Sequence, residues 1–177
     1  MKRSQLKRQQ SAGFSLVELL IVIVIIGILS SISVLYLISS RRAASGASAS
    51  ASMRVFSSAE ASYSSGVGNR DYATPQDLFR EDLIDPALAR ACNPLPVGTS
   101  NSGQVALASQ PKAGFVFDVV ASPPGSAPAA FTINGRPLNT VGVGRDGDRQ
   151  YFVDQTGVIR VSTDPTIPAD VSSTPLQ

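Results

Sequence analysis

One unbroken apolar run dominates the pattern of hydrophobic and polar positions. From Phe14 to Ile38 the chain reads "FSLVELLIVIVIIGILSSISVLYLI", 25 residues in which Glu18 is the only charge. As a helix rising ~1.5 Å per residue it is long enough to cross a bilayer. The next stretch, Ala43 to Gly66, is rich in Ala and Ser and by composition alone would pass for a flexible linker. Its apolar positions argue otherwise: Met53, Phe56, Ala59 or Glu60, and Tyr63 recur at helical spacing. The pattern predicts that the helix continues as an amphipathic one and ends between Tyr63 and Gly66. A helix from Phe14 to about Ser64 would be roughly 75 Å long.

The periodicity then changes. Thr74 followed by Pro75 is a helix start, and Leu78, Phe79, Leu83, Ile84 and Leu88 predict one or two short helices interrupted at Pro86. Beyond Cys92, Pro, Gly and Ser separate short apolar runs. "GFVFDVV" from Gly114, "AAFTING" from Ala129, "RQYFVDQ" from Arg149 and "GVIRVST" from Gly157 read as strands. "DQTG", Asp154 to Gly157, is a hairpin signal in which Gly157 suits a positive φ. The tail from Thr163 carries three prolines and is either held by contact or loose. The expected fold class is α+β: a long N-terminal helix whose second half packs on a small antiparallel meander of three or four strands.

Charge adds an orientation. The net charge of +2 hides an asymmetry, because Lys2, Arg3, Lys7 and Arg8 stand in the first thirteen residues with no acid among them, and without these four, 11 basic residues face 13 acidic ones. That balance gives no general nucleic-acid surface, and no nucleic-acid partner is expected. Arg41 and Arg42, just beyond Ile38, are placed to snorkel at a membrane surface, but the four leader charges outweigh them. The leader is therefore expected in the cytoplasm and the remainder outside. With 177 residues there is room for one globular domain besides the N-terminal segment. The chain has no His, so it lacks the commonest general base and metal ligand, and Cys92 is its only cysteine. An enzyme is not expected, nor a cofactor.

Glu18 needs a separate explanation. A secretory signal peptide has an apolar region of only ~7–15 residues, shorter than this one. A plain single-pass anchor fits the length and the basic flank but leaves the carboxylate unexplained. Inside hydrocarbon such a group costs about 2.5–3.5 kcal/mol even on the lenient insertion scale. In the uncut chain, Glu18 lying near the interface would stay hydrated. Cutting between Gly13 and Phe14 gives another solution. A new α-amino group then stands four residues before Glu18, one helical turn away, and the carboxylate lies at the positive end of the helix dipole. Its own amine, or that of a neighbouring helix, would neutralise it.

The basic leader ending in Gly13, followed by "FSLVELLIVIVIIGILSSIS", resembles the class III signal of type IV pilins and of the pseudopilins of type II secretion systems. The resemblance is strong over the first 40 residues and holds in outline beyond them. It implies a prepilin peptidase that cuts after Gly13 and methylates the amine of Phe14, and a Glu18 that contacts the N-terminus of an adjacent subunit in a filament. It also implies the type IV pilin fold, an inner-membrane assembly machinery and membrane lipid as partners. The expected organisation is a leader over 1–13, a transmembrane and filament-core helix over 14–40, its amphipathic continuation over 41–66 and a head over 67–177. One departure is Leu35, where many members have a proline eight residues after the glycine matching Gly27. Gly27 alone costs a helix only about 1 kcal/mol, a weaker reason for local unwinding.

Other motifs reduce to simpler readings. "GVGRDG", Gly142 to Gly147, matches a phosphate-binding glycine pattern, but a strand follows it rather than a helix, so it reads as a glycine-rich turn. Asp146, Asp148 and Asp154 are candidate calcium ligands, as in some secretion pseudopilins, and solvated turn aspartates are the favoured reading. An EF-hand loop from Asp146 would need Gly and Glu where Tyr151 and Gly157 stand. The aromatics Phe14, Tyr36, Phe56 and Tyr63 read as packing groups rather than an electron path, since the first two are about 33 Å apart along a helix. Cys92 has no His partner for thiol catalysis and also fits a core position. The leading functional expectation is a prepilin, the structural subunit of a type IV pilus. The alternative is a pseudopilin driving export through a secretion system, and a reading from another class is a monomeric membrane-anchored binding domain. The expected location is the bacterial inner membrane, in a single pass, and then a periplasmic or surface filament.

Overall fold

The structure is a computed structural model and describes residues 13–96, 99–104, 109–142 and 144–176. The leader cations Lys2, Arg3, Lys7 and Arg8 lie outside the described residues. The chain forms two compact units, residues 1–37 and 38–177, with helix α1 (Leu16–Ser65) contributing to both.

In the first unit α1 carries the apolar run. Its large hydrophobic side chains from Leu16 to Val34, and Tyr36 and Leu37, are exposed, and it is the one helix among the described residues long and apolar enough to cross a membrane. The hydroxyls of Ser31 and Ser33 donate to the carbonyls of Ile28 and Leu29 at 2.7 and 2.9 Å. Such back-bonding satisfies polar groups that lipid could not. The helix continues without a break through Gly27.

In the second unit the predicted seam on α1 is present. Met53 and Phe56 are fully buried, Ala59 and Glu60 are buried and Tyr63 is partly so. The helix ends at Ser65, where Gly66, Gly68 and Arg70 donate backbone N–H groups to the free carbonyls of Ser62, Tyr63 and Ser64. Helix α2 (Pro75–Arg80) starts at the predicted Thr74, with a reciprocal capping box to Asp77. Pro86 does not interrupt a helix but opens α3 (Pro86–Ala89), capped by Asp85, whose carboxylate accepts from the Leu88 N–H at 2.6 Å.

The four expected strands are β2 (Phe115–Ala121), β3 (Phe131–Pro137), β4 (Gln150–Asp154) and β5 (Arg160–Ser162), paired antiparallel in sequence order. The expectation of an antiparallel sheet of three or four strands needs correction, because the sheet is mixed and has six strands among the described residues. Strand β1 (Cys92–Asn93) adds to β2 in parallel, and β6 (Thr174–Pro175) closes the other edge against β5. Each is two residues long, too short to show any alternation in the sequence. The tail is thus held by contact, with Ala169 buried and the Leu176 N–H donating to the Ile159 carbonyl at 2.8 Å. The hairpin turn at Asp154–Gly157 forms as predicted, with Gly157 at φ +71°.

Alternation on β2 and β3 turns Phe115, Phe117, Val119, Phe131, Ile133 and Gly135 toward the core. The Phe56 and Phe117 rings meet at 5.3 Å between centroids. A Cβ on Gly135 would stand 3.1 Å from Phe117 and 3.3 Å from the Met53 sulfur, so glycine sets how closely helix and sheet approach. Replacing Phe56 by Ala should cost about 3–5 kcal/mol through the cavity it leaves. Val120→Ala, at an exposed sheet position, should cost no more than about 0.5 kcal/mol. Urea unfolding of the full chain in detergent micelles, followed by near-ultraviolet tyrosine dichroism, measures both, and equal losses would contradict this packing.

Candidate functional site

The residues singled out in the sequence lie at the start of α1. Gly13 has open space around it, with no atom within 4 Å of where a Cβ would stand, and Phe14 is 77% exposed. A cleavage site needs such access. Phe14 and Ser15 precede the first helical residue, the Ser15 carbonyl accepts the Leu19 N–H at 3.2 Å, and Glu18 stands exposed in the first helical turn. The dipole there favours a carboxylate. In this chain the Phe14 nitrogen is a peptide N–H to Gly13, and an α-amine beside Glu18 would arise there only if that bond were cut. None of the ion pairs among the described residues involves Glu18.

The three candidate calcium ligands each have their own partner. Asp146 Oδ2 accepts from the backbone N–H and the side-chain amide of Asn139 at 3.0 and 2.8 Å. Asp148 pairs with Arg145 at 2.6 Å. Asp154 caps its own turn, accepting from the Thr156 N–H at 2.9 Å and from its hydroxyl. Among the described residues no three His, Cys, Asp or Glu side chains converge as a metal site would require. Ahead of β4, the Arg145 N–H donates to the Gly142 carbonyl at 3.4 Å and Gly144 to Gly147 is neither helix nor strand, in keeping with the reading of a glycine-rich turn. Cys92 is buried, its thiol lies 3.4 Å from the Leu88 carbonyl, and burial pushes its pKa up to about 12, so it serves as a core residue.

The spacing left open whether Ala59 or Glu60 faces the core, and both do. Glu60 is fully buried. Its Oε2 accepts the Ala73 N–H at 2.8 Å, tying α1 to the segment before α2, while Oε1 has no hydrogen-bond partner among the described residues. Desolvation raises its pKa to about 7; the Ala73 bond opposes the shift and the nearby carboxylate of Asp77 adds to it. The clue in the sequence was the spacing 53, 56, 60, 63, a three-four-three step that keeps Glu60 on the apolar face.

Against known proteins, residues 8–34 match the family model described as the prokaryotic N-terminal methylation motif. That motif is the processing signal of type IV pilins and pseudopilins, and in this chain it runs into an apolar helix long enough to cross a membrane, as a pilin-like protein would have. The match ends at residue 34, so it does not tell a pilus from a secretion system. No curated protein and no solved structure matches the chain.

Glu60 makes the stability of the head depend on pH. Its pKa is raised on folding, so its contribution is greatest below the ordinary carboxylate value. It is lost between about pH 4.5 and about pH 7, and is level above that. The full chain in micelles should lose about 2–3 kcal/mol over this interval, and Glu60→Gln should flatten the loss. Urea midpoints across the interval test this, and identical profiles for the two proteins would remove Glu60 as the source.

Proposed function

We propose that this chain is a prepilin, cut after Gly13, methylated at the amine of Phe14, and polymerised through its N-terminal helix into a type IV pilus. The observation that carries the reading is the N-terminal methylation motif, placed so that Glu18 stands in the first turn of a helix whose large apolar side chains are exposed from Leu16 to Val34. In this reading residues 1–13 are the leader, 14–40 cross the membrane and form the filament core, 41–66 continue the helix and 67–177 form the head. The leader stays in the cytoplasm until a prepilin peptidase of the inner membrane removes it. The inner-membrane assembly machinery then moves the subunit from the bilayer into the growing fibre.

The chemistry of assembly is an exchange of partners. Lipid tails and neighbouring apolar helices are about equally good company for Ile and Leu, so hydrophobicity alone gives association little drive. A carboxylate in hydrocarbon is different, because it gains a great deal from a cation brought beside it. Glu18 meeting the methylated amine of a neighbouring Phe14 supplies both a driving force and a register.

Two measurements test this. Mass spectrometry of N-terminal peptides should find a methylated Phe14 terminus abundant in fibres sheared from native cells. The same terminus confined to stripped envelopes would instead indicate a pseudopilin or a rare subunit, and a terminus upstream of Phe14 would remove the prepilin reading. Glu18→Ala should abolish fibres while leaving membrane insertion intact, and normal fibres from that variant would refute its role.

A further inference from the structure

Beyond the apolar run, the head gathers arginines at one place. Arg41 and Arg42 stand three and four residues past Ile38 on α1, and the loop before β4 brings Arg145 and Arg149 to the same region. Two recesses result, and Arg42 lines both. One, of about 490 Å³, is bounded by Arg41, Arg42 and Arg145. The other, of about 380 Å³, is bounded by Arg42, Arg149 and the Tyr151 side chain, whose hydroxyl donates to the Gly46 carbonyl at 3.0 Å. Small residues on this part of α1, Ala43, Ala44, Gly46 and Ala47, leave the helix surface open between the guanidinium groups.

Two acids share the region, and both are engaged. Asp146 is held by Asn139, and Asp148 is paired with Arg145. Arg41 and Arg149 are exposed and belong to none of the ion pairs among the described residues. The region therefore carries an excess of positive charge in the form of planar donors, which match the oxygens of a phosphate group in pairs. Phosphate is available close by if Phe14–Ile38 crosses a bilayer, because the chain then reaches the headgroup layer within the turn that holds Arg41 and Arg42.

We propose that the paired recesses around Arg42 bind the phosphate of an anionic phospholipid. The inference rests on the reading that Phe14–Ile38 spans the membrane. It adds to that reading a defined headgroup site, formed jointly by α1 and the loop before β4. A bound headgroup holds the head at the bilayer surface until assembly, and the attraction weakens as ionic strength rises.

The test uses the full chain in nanodiscs made of equal parts phosphatidylcholine and phosphatidylglycerol, with native mass spectrometry of the lipids that remain bound after ejection. Phosphatidylglycerol should be retained in preference by about fivefold or more. The double variant Arg41→Gln, Arg149→Gln should lose the preference, whereas Arg54→Gln, further along the same helix and exposed, should keep it. Retention in the proportions of the disc, or a preference that survives the double variant, overturns the proposal. So does a preference abolished by inorganic phosphate but not by chloride of equal ionic strength, which would assign the site to a free anion. If the double variant alters only the association of copies within the disc, the arginines serve a neighbouring subunit and the lipid assignment fails. A chain that elutes without any disc refutes the spanning reading itself, and the proposal falls with it.

Discussion

Met53 and the Phe117 ring close over position 135, where the absence of a side chain lets helix and sheet approach closely. The stretch of α1 from Ala43 to Ser65 is built from Ala, Ser and Gly with few large residues, and Ser and Gly are middling to poor helix formers. Its place in the head depends on a narrow line of apolar contacts, at Met53, Phe56 and Tyr63, against Phe117 and its neighbours on β2 and β3. With any larger residue at 135, the Met53 sulfur and the Phe117 ring would both have to move. Helix formation and sheet packing here are one event, since most helical stability in proteins comes from packing of the apolar face.

The same helix meets two different demands along its length. Its first part is apolar on every face and satisfies the hydroxyls of Ser31 and Ser33 internally, as an environment without water requires. Its second part has one apolar line, with polar or small residues elsewhere, as a helix half covered by protein requires. The change comes at Ile38 to Arg42, where apolar residues give way to two arginines and then to small ones. Small side chains there keep bulk away from the cations and leave the recesses open.

Much of this was legible in the sequence. Long periodic segments and local chemistry survive without tertiary information, which is why the helix, the Thr74 start and the Gly157 turn were found where they lie. The motif at Gly13, Phe14 and Glu18 was legible for the same reason, being contiguous. What could not be read depends on partners distant in the chain. Strands β1 and β6 have two residues each and exist only because β2 and β5 offer free edges. The partner that Glu60 finds in the head, the Ala73 N–H, stands thirteen residues away. Arg145 and Arg149 line the same recesses as Arg42 only because the loop before β4 returns to α1, more than a hundred residues after it.

Two carboxylates on α1 show how far a charged group depends on what folding or processing supplies. Glu60 is removed from water by the head, which raises its pKa to about 7 even though one backbone donor, the Ala73 N–H, favours its charged form. Its partner is encoded in the chain and present as soon as the head folds. Glu18 is in no ion pair among the described residues, and the nitrogen of Phe14, one turn before it, is a peptide nitrogen in this chain. If processing supplies that partner, the cost of Glu18 in an apolar environment falls only after cleavage. The carboxylate then does more than tolerate its position: it makes removal of the leader a condition for close packing of these helices, and ties the order of maturation to the energetics of assembly.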